Sequence, residues 1–481
     1  VLTRLKVSGF KNLLDVDVRF GPFTCIAGPN GVGKSNLMDA IRFLSLLSSE
    51  SLMDAAAAVR ESGGRGGDIR NLFYNFGQQT SPRMDFEVEM IVPQAATDDF
   101  GQTARATITF LRYSLSLGWT PSTGNGRHGP DRLVILKEEL THIPRGEASS
   151  YLRFPHQPAW RRSVVTGARR SPYFISTDEN DRRIKIHQDM SSGRPLVVSA
   201  EQLPRTILAA TNNASDRPTI VVARREFQSW RQLQLEPSAL RRPDEFRDPQ
   251  ILSQNGKHMP ATLHRLASMG EEERVYTRIA NRLAELVGNV RTVEVDRDDT
   301  RELLTLYLTQ IDGTRLPASA LSDGTLRFLA LSILELDPES TGLVCLEEPE
   351  NGIHPMRIPA MIDLLGDLAV DPKVEDEANP LRQVIVNTHS PLVVKQCSED
   401  SVVFAHTLKV PASRGGGSVL GLSCLPGTWR DKAGMGSVGL GTVVNYLEPA
   451  LREPSPGAPR RVIDRRELQL ALGFVQDSAE R

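Results

Sequence analysis

The feature that most constrains this 481-residue chain is the octet Gly28-Pro29-Asn30-Gly31-Val32-Gly33-Lys34-Ser35. It follows a short apolar run, Phe23–Ala27 (FTCIA), and precedes 36–47 (NLMDAIRFLSLL), whose apolar residues recur at helical spacing. A buried strand, a glycine loop and a helix are therefore expected in that order, which is the opening unit of an α/β sheet. The octet matches G-x-x-x-x-G-K-[ST] in the context that pattern requires. Glycines let backbone N–H groups wrap phosphates, the helix start adds a positive dipole, Lys34 reaches the β- and γ-phosphates, and the Ser35 hydroxyl binds Mg²⁺.

Two later apolar runs end in chemistry-bearing residues. Leu343–Leu346 closes on Glu347 and Glu348, so that one acid can hold a metal and its neighbour can polarise a water; Glu347 is assigned the metal and Glu348 the base. The run 383–387 leads into His389 and is followed by Ser390-Pro391, and an imidazole there is suited to sense a γ-phosphate and to orient Glu348 or the water. Strands that each end in polar residues are typical of doubly wound sheets, whose ligands lie outside the carboxyl ends of the strands. Leu321-Ser322-Asp323-Gly324-Thr325 precedes an apolar helix at 326–336, with Ser322 or Asp323 a natural N-cap.

Taken together, the quoted segments and GFKNL at 9–13, GPNGVGKSN, LSDGTLRFLAL, CLEEPENGIHP and VNTHSP resemble the soluble branch of the ABC-type ATPases. That branch contains SMC, RecF, and the OLD-type and related AAA-family ATPases of genome-maintenance and phage-defence systems. The resemblance covers residues 1–45 and about 318–395, and Ser322 follows Lys34 by 288 residues, which implies a large insertion.

The resemblance implies an ABC-type head that binds ATP with Mg²⁺. Lys34, Glu348 and His389 are its catalytic residues, and residues 28–36, including Asn36, form the phosphate loop. Phe10, Lys11 and Asn12 are expected near the nucleotide. It further implies a homodimer, or a higher homo-oligomer, with ATP sandwiched between subunits, so that Ser322 and Gly324 reach the nucleotide in trans and Asn351 lies at the seam. The loop glutamine of the Mg²⁺ site is assigned to Gln78 or Gln79.

The expected fold class is α/β: an ABC-type P-loop ATPase head with a parallel-containing sheet, an N-terminal antiparallel β part and a large inserted lobe. The expected divisions are residues 1–141, 142–317, 318–410 and a C-terminal extension at 411–481, with a helix at 466–475. The middle is polar and Arg-rich, with a helix at 274–287 and strands at 291–296 and 302–311.

With 57 basic and 59 acidic residues the chain has no global positive field, so nucleic-acid binding has to come from a local patch. The stretch 145–185 carries an excess of five positive charges and is the best candidate for duplex DNA, through Arg161, Arg162, Arg169, Arg170, Arg182, Arg183 and Lys185. Only ten of the 57 basic residues are lysine, a bias that genome composition also produces. Asp296, Asp298 and Asp299 read as a solvated turn, and His354 has no second ligand nearby to make a metal site.

The four cysteines are far apart, which argues against a disulfide framework or a zinc site. No apolar run approaches the ~18–20 residues that span a bilayer, so a cytoplasmic protein without membrane contact is expected. The expected function is an ATPase sensor or scaffold of a prokaryotic defence complex. The tail after 395 lacks the clustered acids of an OLD-type nuclease, so any effector, such as a nuclease, is expected on a separate partner chain. The alternatives are a RecF- or SMC-like clamp on duplex DNA and a nucleotide-gated structural protein with little turnover.

Overall fold

The computed structural model describes residues 1–60, 68–76, 79–121, 123–124, 127–128, 131–169, 171–178, 180–189, 193–270, 272–376, 379–411 and 416–448. The chain divides into two compact units, Val1–Val438 and Gly439–Arg481. In the second unit the described part is a helix, Leu440–Leu447; the helix expected at 466–475 lies outside the described residues.

The first unit opens with β1 (Leu2–Ser8), β2 (Val16–Arg19), β3 (Phe23–Ala27) and α1 (Lys34–Leu46). Then come β4 (Arg83–Ile91), β5 (Phe110–Thr120), β6 (Arg132–His142), β7 (Tyr173–Asp178), β8 (Arg183–Ile186) and β9 (Leu196–Ser199). Next are α2 (Pro218–Gln228), β10 (Arg231–Leu233), β11 (Asp244–Glu245), α3 (Met259–Met269), α4 (Glu272–Val287), β12 (Val290–Asp298), β13 (Leu303–Gln310) and β14 (Arg315–Pro317). The chain continues through α5 (Asp323–Leu336), β15 (Gly342–Glu347), α6 (Ile358–Leu368), β16 (Arg382–Thr388), β17 (Val402–Lys409) and β18 (Ser418–Cys424).

An eight-stranded antiparallel sheet runs β9-β8-β7-β6-β5-β4-β1-β2. Its strands alternate: Met84, Phe86, Val88 and Met90 of β4 face the core while Arg83, Asp85 and Glu87 face outward, as a sheet with one solvated face requires. Register aligns the apolar set, with Val88 beside both Leu5 and Tyr113. The stretch expected as an inserted lobe supplies three of these strands, because β6 pairs with β7 across Leu140 and Ile175. The inner face packs on α1 and α2: Phe10, Phe43 and Phe86 form an aromatic trio with centroids 5.6–6.0 Å apart, and Tyr113 meets Phe227 edge-on at 5.3 Å.

The second sheet runs β10-β15-β16-β3-β17-β18, and all its neighbours are parallel except β17 with β18. Its central strands β3, β15 and β16 are buried almost throughout because both faces are covered. Leu343, Cys345 and Ile385 pack on the α1 and α2 side, whereas Val344, Leu346, Val384 and Val386 belong to the cluster of α5 and α6. Parallel register sets Glu347 beside Asn387, and Thr388 beside Ala27, so three loops leave the sheet at one edge. The fold is the expected α/β class, with an antiparallel sheet joined to a parallel-containing one.

A third sheet, β11-β13-β12 with β14 on β13, joins α3 and α4 in a lobe that grips α5. Arg241 bonds the Leu321 carbonyl at 3.1 Å and pairs with Asp323 at 2.5 Å at the start of α5. Arg265 pairs with Asp337 at 2.7 Å just past its end.

Candidate active site at the strand tips

The glycine loop adopts the conformation its sequence demands. Gly31 and Gly33 have φ of 80° and 110°, the left-handed region that favours glycine. A Cβ on Gly33 would lie 2.3 Å from Asn12 Nδ2, and one on Gly28 would lie 2.3 Å from the Ala405 carbonyl oxygen. Pro29, Asn30 and Gly31 are exposed at the loop's crest, and Val32 is buried beneath. The Lys34 ammonium donates to the Gly28 and Pro29 carbonyls at 2.7 and 2.8 Å, spanning the loop from inside. Burial lowers its pKa, and the charges of Glu348, Glu347 and Glu350 pull the other way.

The GFKN segment braces this loop. Asn12 donates to the Val32 carbonyl at 3.1 Å and accepts from Asn36 at 2.7 Å, while Lys11 pairs with Asp39 on α1 at 2.6 Å. Phe10 is fully buried in the aromatic trio. All three residues therefore sit beside the loop and its helix.

Two carboxylates meet the loop from β15. Glu347 Oε2 accepts from the Ser35 hydroxyl at 2.9 Å, and its Oε1 accepts from the Gln232 amide at 2.9 Å. Ser35, Glu347 and Gln232 offer hydroxyl, carboxylate and amide oxygen, a hard donor set suited to Mg²⁺. Gln78 lies outside the described residues, and Gln79 pairs through its backbone with Phe76 in a separate hairpin. The glutamine that meets the carboxylate is Gln232, on the three-residue strand β10; the only signal in the sequence is the brief alternation RQLQL after an apolar helix.

Glu348 is the first residue past the strand and has φ of 47°, which turns its side chain out of the strand's alternation. One carboxylate oxygen lies 2.7 Å from His389 Nδ1 and the other accepts from Asn351 Nδ2 at 2.8 Å. Partial burial would raise its pKa, but the bonds from Asn351 and His389, with the charges of His389 and Lys34, hold it below the usual carboxylate value. Glu350, buried nearby, accepts from Thr388 Oγ1, and burial raises its pKa.

Ser322 caps α5, accepting from Thr325 N–H at 3.3 Å with the Thr325 hydroxyl 2.8 Å away. Gly324 packs so closely on the loop after Glu348 that a Cβ would lie 2.6 Å from the Gly352 carbonyl oxygen. Arg327, one turn into α5, donates to the Asn351 carbonyl. The segment Ser322–Thr325 and Asn351 are thus neighbours within one chain, while Ser322's own hydroxyl bonds stay inside its cap.

The basic stretch is less free than its charge count suggests. Arg169 is largely buried and stacks on Phe174, 3.8 Å from Asp189; Arg182 pairs with Glu201 at 2.5 Å and Lys185 with Asp178 at 3.1 Å. Arg161 lies on a short helix with its guanidinium 3.1 Å from His156, beside exposed Arg162, and Arg183 is exposed on β8. Arg170 is outside the described residues. Asp296 and Asp299 pair with Arg315 and Arg297, Asp298 accepts from Thr300 and Arg301 N–H, and His354 caps a turn, each as a surface residue does. All four cysteines are free, and no helix among the described residues is long and apolar enough to cross a membrane.

Comparison with known proteins matches residues 257–395 to the family described as "AAA domain, putative AbiEii toxin, Type IV TA system" and residues 1–58 to the "RecF/RecN/SMC N terminal domain". The DNA replication and repair protein RecF of Paenarthrobacter aurescens is 40% identical over 60 residues, 12% of this chain and 15% of that protein. The chromosome partition protein Smc of Thauera aminoaromatica is 29% identical over 106 residues, 22% of this chain and 8% of that protein. The chain thus spans under a sixth of the length of these relatives. Among solved structures, an Smc head bound to the C-winged helix domain of ScpA aligns with 90% of this chain and 99% of its own at 14% identity and a TM-score of 0.44. The SMC head domain from Thermotoga maritima aligns with 88% and 98% at 13% identity and a TM-score of 0.37. The two family matches fall on the segments that hold residues 28–35 and 322–389, and in both the chain is similar to SMC/RecF-like ATPases of the ABC type.

Proposed function

We propose that this chain is a nucleotide-driven dimerising head that hydrolyses ATP. The observation that carries the reading is the convergence of Lys34, Ser35, Glu347 and the Asn351–Glu348–His389 triad at one sheet edge. In this reading residues 28–36 wrap the phosphates through backbone N–H groups, and Lys34 exchanges its loop carbonyls for β- and γ-oxygens. Ser35, Glu347 and Gln232 would hold Mg²⁺, which when bound neutralises charge developing on the phosphates. Glu348, kept ionised by its two partners, accepts the proton of the attacking water, and His389 fixes the direction of that carboxylate and reports the γ-phosphate. Ser322 and Gly324 serve the nucleotide of the partner subunit, and Asn351 lies at the seam, so closure is needed for turnover.

What the cycle drives is the finer question. Similarity to RecF and Smc supports a head that acts on duplex DNA. The toxin system named in the family description supports the other reading, an ATPase sensor or scaffold with a separate effector chain. A protein that closes on ATP with hardly any turnover is the third.

The test is steady-state ATP hydrolysis by the wild type and Glu348→Gln, each with and without duplex DNA at two salt concentrations. Turnover is expected to fall about 10²–10⁴-fold in the variant with ATP binding retained; unchanged turnover would sink the assignment of the base. Stimulation by duplex that fades with salt supports the DNA reading, because displaced counterions give such binding a steep salt slope. Turnover that depends on Glu348 and ignores DNA supports the protein-partner reading. Ser322→Arg should bind ATP as a monomer without closing, and an unimpaired dimer would contradict the trans sandwich.

A further inference from the structure

Among the described residues, one cluster of metal-ligating side chains lies in the lobe that grips α5. Asp244 on β11, Asp248 in the turn after it and His258 immediately before α3 bring two carboxylates and an imidazole together, each ligand atom within 4.8 Å of the others. Asp244 is buried, with 5% of its side chain exposed; Oδ2 accepts from Ala261 N–H at 3.0 Å, and Oδ1 lies 3.3 Å from His258 Nδ1. That ring nitrogen is shut off from solvent and has no well-aimed hydrogen bond. Asp248 spends Oδ2 on the Glu245 N–H at 2.8 Å.

The buried His258 Nδ1 has the Asp244 carboxylate 3.3 Å away as a loose, poorly aimed partner, and Asp248 brings a second carboxylate into the same cluster. A divalent cation between them would engage all three at once. Two oxygens and one imidazole nitrogen match the donors of zinc-class ions, whereas Mg²⁺ and Ca²⁺ favour all-oxygen cages. Ligands around such an ion sit about 2.0–2.2 Å from it, so a closure of roughly 1 Å brings the three donors into range.

We propose that Asp244, Asp248 and His258 form a three-ligand site, completed by water, for a divalent first-row transition ion of the zinc class. The ion pins β11 to the start of α3. The two arginines that hold α5, Arg241 and Arg265, flank these ligands in sequence, so the site steadies the frame from which they reach. The inference is independent of ATP chemistry.

The test uses the full chain, stripped with a chelator and kept in excess Mg²⁺ without nucleotide. After ZnCl₂ addition and gel filtration, the wild type is expected to retain one zinc per chain and to gain thermal stability as a ligand-binding fold must. Cobalt(II) should give the visible bands of a low-coordinate site without thiolate charge transfer. Asp248→Asn, at a partly exposed position that leaves the core intact, and His258→Asn, which tolerates the left-handed backbone there (φ 66°), should each weaken retention at least about tenfold. A wild type that retains no zinc from micromolar solution leaves an ordinary Asp–His pair and overturns the proposal. Equal retention by Asp248→Asn and His258→Asn overturns it as well.

Discussion

The two large sheets use similar apolar residues under opposite rules. The antiparallel sheet is made largely of long strands with one wet face, so each strand carries its own instruction in the alternation of its sequence. The parallel sheet is made of short strands from residues 23, 231, 342, 382 and 402 onward, largely buried and without a clean polar alternation, and their order is set by the helices that cover them. One sheet is a local construction that supplies stability and a wall for α1. The other is a long-range construction whose edge gathers five distant segments, and the candidate site sits there.

The division can be broken by separating fold from site. Lys34→Ala should abolish measurable ATP binding, read by nucleotide titration, with the melting temperature in the absence of nucleotide near that of the wild type. Leu117→Ala, in the fully buried face of β5, should do the reverse, lowering unfolding free energy by about 2–5 kcal/mol in denaturant melts while ATP affinity at low temperature is kept.

A third test lies inside the antiparallel sheet. Glu138 of β6 is fully buried; burial pushes its pKa up to about 7 against the opposing bonds from Ile207 N–H, Leu208 N–H and the Tyr113 hydroxyl. The folded state then binds the proton more tightly than the unfolded chain, so stability is greatest below the unfolded carboxyl pKa and is lost as pH rises to about 7. The loss amounts to ~3 kcal/mol for a carboxyl raised from its ordinary range to about 7. Melts across pH 4–8 should show that decline, and Glu138→Gln should flatten it.

The smallest effect sharpens the comparison most. Gln232→Ala should raise the Mg²⁺ concentration needed for half-maximal turnover about tenfold, as loss of one donor does. Gln79→Ala should leave it unchanged; the opposite pattern would return the metal-site glutamine to the hairpin.

The same contrast explains what could be read in advance. The segment from Phe23 to Leu46 is contiguous, so strand, loop and helix were legible from spacing, as were the capped start of α5 and the apolar runs that end at Glu347 and Asn387. Gln232 was not, because its strand has three residues and its partner lies 115 residues away. The strands β7 to β9 were hidden in a polar stretch for a related reason: only Phe174, Ile175, Ile184 and Ile186 mark their inner face. The basic stretch shows another limit, since a charge count cannot see that Asp189, Glu201 and Asp178 answer three of its cations.

The arginines at the two ends of α5 differ in their exposure to solvent. Arg265 and Asp337 keep 11% and 1% of their side chains exposed, while Arg241 and Asp323 keep 32% and 52%. Dissolved ions screen an exposed pair far more than a sheltered one. Ionic strength therefore acts as a knob on one end of the helix: moderate salt loosens the end that carries Ser322 and leaves the far end fixed as a pivot.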